Sequence, residues 1–348
     1  MKNLKLINLL LIVATSLLLV NCTTDPIPGP DGKDGIDGID GVDGATGTTE
    51  CAACHNIAKS EAVHASYLFS QHAKGETLSY GTGPNRASCS ACHTSEGYID
   101  YVNTGAPNEL GYVSPTAISC KTCHDTHTTF DFENEGFDYA LRLITPVDLI
   151  INANLPAPII LDFEGTSNNC AQCHQPRREA PIDDGSGIYE VYNRYGPHHG
   201  PQSTFLEGIE GGEIAGFEYP AAGSAIHRTG SSCTSCHMGE DSGNNDGNHS
   251  WIPTTTSCTQ CHDNITTDSK GNPAIEDYEE RMANLKALLT ANGLLDADGR
   301  YVRGDFPIAQ AQALWNYILI EEDASRGTHN PNYAKALIDN SIEALSAD

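Results

Sequence analysis

"CAACH" (residues 51–55) places two cysteines two residues apart, with a histidine directly after the second. The pattern returns as "CSACH" (Cys89, Cys92, His93), "CKTCH" (Cys120, Cys123, His124), "CAQCH" (Cys170, Cys173, His174), "CTSCH" (Cys233, Cys236, His237) and "CTQCH" (Cys258, Cys261, His262). With Cys51, Cys54 and His55 these make six copies, which use twelve of the 13 cysteines and leave only Cys22. Zinc sites that pair two C-x-x-C units do not require histidine after each one. A disulfide framework gives no reason for that histidine either. Covalent haem does: two thiols form thioethers to the two vinyl groups of one macrocycle, and the adjacent histidine reaches the iron as proximal ligand. The motifs therefore predict six haem c groups, with His55, His93, His124, His174, His237 and His262 as proximal ligands.

Each iron then needs a second ligand or an open face. Methionine is nearly excluded, because beyond Met1 the chain has only Met238 and Met282, and Met238 directly follows proximal His237. Eight of the 14 histidines remain: His64, His72, His127, His198, His199, His227, His249 and His329. About six of them are expected to be distal ligands, making bis-histidine haems of low potential. His127 follows His124 by three residues in "CHDTH", a spacing at which the second histidine serves a neighbouring haem. His72, His249 and His329 stand in polar, Gly- or Ser-flanked stretches, and His227 precedes Cys233 by six residues. "GPHHGPQ" offers His198 and His199, of which one is expected to bind. His64 and His72 share a helical face, and of these His72 is preferred, with His64 the spare.

The N-terminus differs from this body. Lys2 and Lys5 precede the apolar run "LINLLLIVATSLLLV", and Asn21 and Cys22 follow. A basic start, a short apolar run and a cysteine resemble a bacterial lipoprotein signal over residues 1–21, with Cys22 lipidated. A small residue is usual where Asn21 stands. Thr23 and Thr24 lack the Asp that retains enteric lipoproteins at the inner membrane, which favours the outer membrane, on its periplasmic or cell-surface face. Acyl chains at Cys22 would anchor an otherwise soluble body. Over residues 22–50, glycine recurs every third residue from Gly29 to Gly47, with Asp31, Asp34, Asp37, Asp40 and Asp43 in the third position of successive triplets. Stacking those carboxylates opposes a collagen-like trimer. The stretch reads as a flexible, self-repelling tether that reaches at most ~95 Å. It resembles the Asp-Gly run after the lipidated cysteine of outer-membrane decahaem cytochromes.

The 348-residue chain carries 46 acidic against 19 basic side chains, a formal charge of −27. That excludes nucleic-acid binding through a basic face and steers an electropositive partner toward the protein. Residues 51–270 show little sustained periodicity and are rich in Gly, Ser, Asn and Pro loops. They are read as a hexahaem region in which the haems form the core. Motif spacings of 38, 31, 50, 63 and 25 residues bring those haems close enough to stack as a chain. Residues 271–348 read as a helical segment packing on the haems. Tyr278, Met282, Leu285 and Leu289 mark one helical face, Pro307 opens a second helix through Leu314, Trp315 and Ile318, and Asn330-Pro331 caps a third through Tyr333, Leu337 and Leu345. The expected fold class is mainly α with extensive loops: a multihaem cytochrome c with C-terminal helices.

"ALWNYILIEEDASRGTHNPNYAKALI" and "YGPHHGPQ" with the following "CTSCH" resemble the cytochrome c nitrite reductase and octahaem reductase group. The resemblance implies that His329, in "HNP", is a distal ligand. The group's catalytic haem usually has lysine in place of the proximal histidine, and no C-x-x-C-K occurs here. The kinship of fold does not carry that activity over, and no catalytic residue is assigned. The sequence points to a membrane-anchored carrier passing electrons along six haems, in respiration or to an extracellular acceptor, with redox proteins or that acceptor as partners. The alternative is an oxidoreductase acting on small nitrogen or sulfur oxyanions at one open haem. A filament with distal ligands from neighbouring copies is disfavoured by the internal histidine supply.

Overall fold

The computed structural model describes residues 49–75, 82–83, 86–135, 138–239, 246–263 and 277–347. The chain divides into two compact units, Met1–Thr49 and Glu50–Asp348. The signal segment, Cys22 and nearly all of the tether lie outside the described residues. The fold of the second unit is mainly α-helical with extensive loops and two short two-stranded sheets. Among the described residues no helix is long and apolar enough to cross a membrane.

Five motifs occupy or adjoin short helices of one or two turns: α1 (Thr49–Cys54), α3 (Ala87–His93), α5 (Cys120–Cys123), α7 (Asn168–Ala171) and α10 (Cys233–His237). The sixth is entered by α11 (Thr255–Thr259). The local reason recurs. The histidine N–H donates to the carbonyl of the first cysteine in His55, His124, His174 and His262, at 2.8–3.0 Å. One helical turn thus gathers both sulfurs and the imidazole. Ser119 with Thr122 and Ser232 with Ser235 form capping boxes at the start of α5 and α10, which satisfy N–H groups that so short a helix would leave open. Between these lie α2 (Ile57–Phe69), capped by Asn56 Oδ1 accepting from Lys59 N at 2.8 Å, and α4 (Ser95–Thr104), α6 (Phe132–Glu135), α8 (Gln202–Glu207) and α9 (Ile226–Thr229).

The largest apolar cluster is C-terminal. Helix α12 (Tyr278–Ala291) buries Tyr278, Met282, Leu285 and Leu289, the face that the 3.6-residue period marks. It packs with α13 (Ile308–Asp323) and α14 (Pro331–Ser346). Asn330 caps α14 by accepting from Tyr333 N at 3.2 Å, with Pro331 at the first position. Residues 188–217 add to this bundle what periodicity does not reveal. Strand β3 (Ile188–Val191) pairs antiparallel with β4 (Gly304–Pro307), and Tyr195 donates to Ala311 O at 2.8 Å. Residues 209–217 cross α13 and α14 so closely that a Cβ on Gly211 would meet the Tyr333 hydroxyl at 2.5 Å. A second cluster of Val147, Leu149, Ile151, Leu161, Phe163, Ala171 and Leu206 surrounds the pairing of β1 (Val147–Asp148) with β2 (Ile160–Leu161). Residues 51–270 therefore contribute protein core of their own, where the sequence reading assigned the core to the haems.

Asn316 ties the crossing segment to the bundle. Its Oδ1 accepts from Gly212 N at 2.7 Å, and its Nδ2 donates to Gly212 O at 2.9 Å and to Ser341 Oγ at 3.1 Å. Asn316→Ala leaves Gly212 N buried without a partner, while Gly212 O keeps the Ile214 N–H at 3.0 Å. We expect a loss of about 1–3 kcal/mol, measured by guanidinium unfolding followed by circular dichroism.

Candidate metal centres

Each of the six motif histidines faces one other histidine. Numbered by motif, site I pairs His55 with His127 (ring centroids 5.9 Å apart). Site II pairs His93 with His198 (6.2 Å), and site III pairs His124 with His249 (6.4 Å). Site IV pairs His174 with His72 (6.1 Å), site V His237 with His329 (6.3 Å), and site VI His262 with His227 (6.1 Å). No histidine serves twice. Two imidazoles bound through one nitrogen each to opposite faces of a metal ion, at the usual ~2 Å metal–nitrogen distance, hold their ring centroids about 6 Å apart. Ordinary aromatic contacts fall in the same broad range; the one-to-one pairing of all six motif histidines distinguishes this arrangement.

Hydrogen bonds at the opposite nitrogen leave the facing one free. Nδ1 lies 2.8 Å from Tyr139 O in His124, 3.0 Å from Gln202 Oε1 in His174, 2.6 Å from Thr328 O in His227 and 2.8 Å from Trp251 O in His237. In His249 it lies 2.8 Å from Asp246 O, and in His329 2.7 Å from Asp323 Oδ1. A ring that donates from Nδ1 keeps its lone pair on Nε2, the tautomer that coordinates metal. At site II, His198 Nε2 is buried with no protein partner, a desolvation cost that a ligand at that atom would offset. Burial, with His174 beside it, lowers the pKa of His72 to about 4. Burial, with Arg177 and His199 nearby, does the same for His198. Burial also lowers His93, His174, His237 and His249, so these rings are neutral near pH 7, as metal ligands must be. His329 differs: burial opposes its charge, but the buried Asp323 carboxylate outweighs that and raises it.

Two histidines stand apart. His64 is exposed on α2 and stacks on Tyr67. His199 is exposed, with Nδ1 2.7 Å from Glu322 Oε2. The left-handed backbone of His198 (φ 76°) separates the two neighbours, with the half-buried His198 ring facing His93 and His199 left exposed. A non-glycine residue held in that conformation commonly marks a functional position.

The residues fit haem c better than zinc. All twelve motif cysteines are free thiols. Among the described residues no three His, Cys, Asp or Glu side chains converge to hold an ion, whereas structural zinc takes four. Ile57, Phe69, Phe130 and Ile226 are large, apolar and exposed, and each lies within three residues of a paired histidine. Such an apolar flank suits a broad apolar group beside the pairs of sites I, IV and VI.

The sites also adjoin one another. His124 of site III and His127 of site I share one turn of chain. Cys92 Sγ of motif II lies 4.0 Å from Gln172 O of motif IV, and Cys173 Sγ of motif IV lies 4.0 Å from Ala91 O of motif II. Thr234 N of motif V donates at 3.2 Å to Ser167 Oγ, three residues before motif IV. Trp251 lies against His72 of site IV at 4.7 Å and His249 of site III at 5.6 Å. Thr328, which accepts from His227 of site VI, precedes His329 of site V. Site IV thus touches sites II, III and V. The acceptors Gln202, Asp323, Tyr139 and Trp251 have no signature in the sequence: Gln202 lies 28 residues from His174, Tyr139 and Trp251 act through backbone carbonyls, and Asp323, six residues before His329, is brought to it by the turn between α13 and α14.

No protein-family model and no curated protein matches the chain. Among solved structures, the outer cell wall cytochrome OcwA aligns over 81% of this chain with 22% identity and a TM-score of 0.47. The alignment covers 50% of that protein, so the chain spans about half its length.

Glu96 in α4 links motif II to motif III. Its carboxylate accepts from Thr116 N at 2.8 Å, Thr116 Oγ1 at 2.7 Å and Lys121 Nζ at 3.0 Å. Partial burial raises its pKa, but the hydrogen bonds from Thr116 and Lys121 outweigh this and hold it at about 2, against 4.5 for the free group. The contribution to stability is present above pH 4.5 and is lost as pH falls toward 2. In acid unfolding followed by circular dichroism, wild-type stability should fall more steeply over this range than that of Glu96→Gln.

Proposed function

We propose that the chain is an exported hexahaem c-type cytochrome that carries electrons along six bis-histidine haems. One observation carries this reading: every C-x-x-C-H histidine faces its own second histidine at the separation that one iron ion sets. Haem iron, when bound, supplies a one-electron Fe(III)/Fe(II) couple. The chain supplies the rest. Twelve cysteines would hold the macrocycles by thioethers, and the six motif histidines would each bind one iron. His127, His198, His249, His72, His329 and His227, in motif order, would supply the second ligand. With both histidines of every pair engaged, small substrates would be kept off the metal, which favours a carrier over the oxyanion reductase. A reductase requires one motif histidine with an open face opposite it.

The contacts between sites support a route I–III–IV–V–VI, with site II joining at site IV. His55 at one end and His262 at the other are exposed, as entry and exit points require. In this reading Cys22 carries the lipid anchor at the outer membrane, the Asp-Gly stretch is the tether, and the acidic surface steers a basic redox partner or serves an extracellular acceptor.

The ring planes make the reading testable. Sites I, II, IV and VI cross at 63–80°, whereas sites III and V cross at 31° and 42°. Near-perpendicular axial imidazoles give highly anisotropic low-spin ferric EPR signals, and more nearly parallel ones give rhombic signals. Low-temperature EPR of the oxidised holo-protein should show only low-spin haem, four sites of the first kind and two of the second. A high-spin component near one haem in six would return the reductase reading.

Substitution separates ligands from spares. His72→Ala and His198→Ala should each convert about one haem of the six to a high-spin form that binds carbon monoxide. His64→Ala and His199→Ala should leave the optical and EPR spectra unchanged.

A further inference from the structure

Trp251 sits where three sites meet. Its indole crosses the His72 ring of site IV at 4.7 Å and 71°, and the His249 ring of site III at 5.6 Å and 68°. Its backbone carbonyl lies 2.8 Å from Nδ1 of His237 of site V. The surrounding turn is pinned from several sides. Trp251 N donates to Asn248 O at 2.9 Å. Asn248 Nδ2 donates to His237 O at 3.0 Å and Ile252 O at 2.9 Å. Trp251 itself holds a left-handed backbone (φ 54°), a strained state for a bulky residue that persists only where the surroundings impose it. Tyr67 packs edge-on against the indole at 6.4 Å.

The His72 ring takes its support from ring contacts. Six other paired histidines have an Nδ1 acceptor that steadies their rotation. Among the described residues the His72 ring packs against His174 and Trp251 and makes no side-chain hydrogen bond.

We propose that Trp251 is a positioning residue joining three haem sites: its indole sets the His72 plane and abuts His249, while its carbonyl fixes the tautomer of His237. This rests on the bis-histidine reading above. Two consequences separate side chain from backbone. Loss of the indole should disturb sites IV and III, and should leave site V intact, because the carbonyl remains.

The test uses full-length holo-protein. Haem stoichiometry is read by mass spectrometry, low-spin signals are read by EPR, and site IV is assigned as the signal lost in His72→Ala. Trp251→Asn tolerates the left-handed backbone, and Trp251→Leu keeps apolar volume without a flat face. Both should retain six haems while shifting the site IV signal and the rhombic site III signal, leaving the site V signal in place. Trp251→Phe should restore a spectrum close to wild type. The inference is overturned if the Leu and Asn spectra superimpose on wild type, or if Phe behaves like Leu. It also falls if the variants lose haem from these sites, which would make Trp251 a folding requirement. A wild-type protein with fewer than six low-spin haems would instead overturn the bis-histidine reading itself, and this inference with it.

Discussion

The structure turns on one geometric constraint: six pairs of imidazoles held at one separation, the separation that an ion accepting a ring on each of two opposite faces would set. That constraint brings residues far apart in the chain to one centroid separation, as in His72 with His174 and His237 with His329. The local architecture answers it. One-turn helices gather two sulfurs and a ring, and their capping serines and threonines satisfy backbone groups that so short a helix leaves open. Around the pairs, carbonyls and the Asp323 carboxylate hold six of the twelve rings from behind. In the proposed reading, covalent attachment would let loop-rich chain enclose large apolar groups without long helices.

The acidic balance and the site map act together. In the proposed reading, the net charge of −27 would steer basic partners, and the exposed rings of His55 and His262 at sites I and VI would give them access to the ends of the route. Site IV lies between three others. As a junction it would equilibrate electrons among branches, so its potential and its coupling to neighbours would set how the branches share charge.

Much of this was legible in the sequence. The six motifs and their proximal histidines are local patterns, and each spacing reads directly as chemistry. The faces of α12, α13 and α14 were legible because several helical turns repeat the 3.6-residue period and because Asn330-Pro331 marks a start. The pairing of histidines was less so, because a distal partner is a long-range contact with no local code. His198 and His199 are adjacent and chemically alike; only the left-handed backbone at His198 separates the half-buried ring from the exposed one. Residues 51–270 hid their own core, since Val147, Leu161, Phe163 and Leu206 come together from segments too short to show a period. Trp251 and Asp323 were invisible for a related reason: they act on rings that the fold, and not the sequence, places beside them.

Diffraction from holo-protein crystals at the iron absorption edge tests the central claim most directly. The account predicts six anomalous peaks, each about 2 Å from Nε2 of both histidines of one pair, with His64 and His199 remote from every peak. Fewer than six peaks, an iron bound by His64 or His199, or an iron with one axial face open would contradict it.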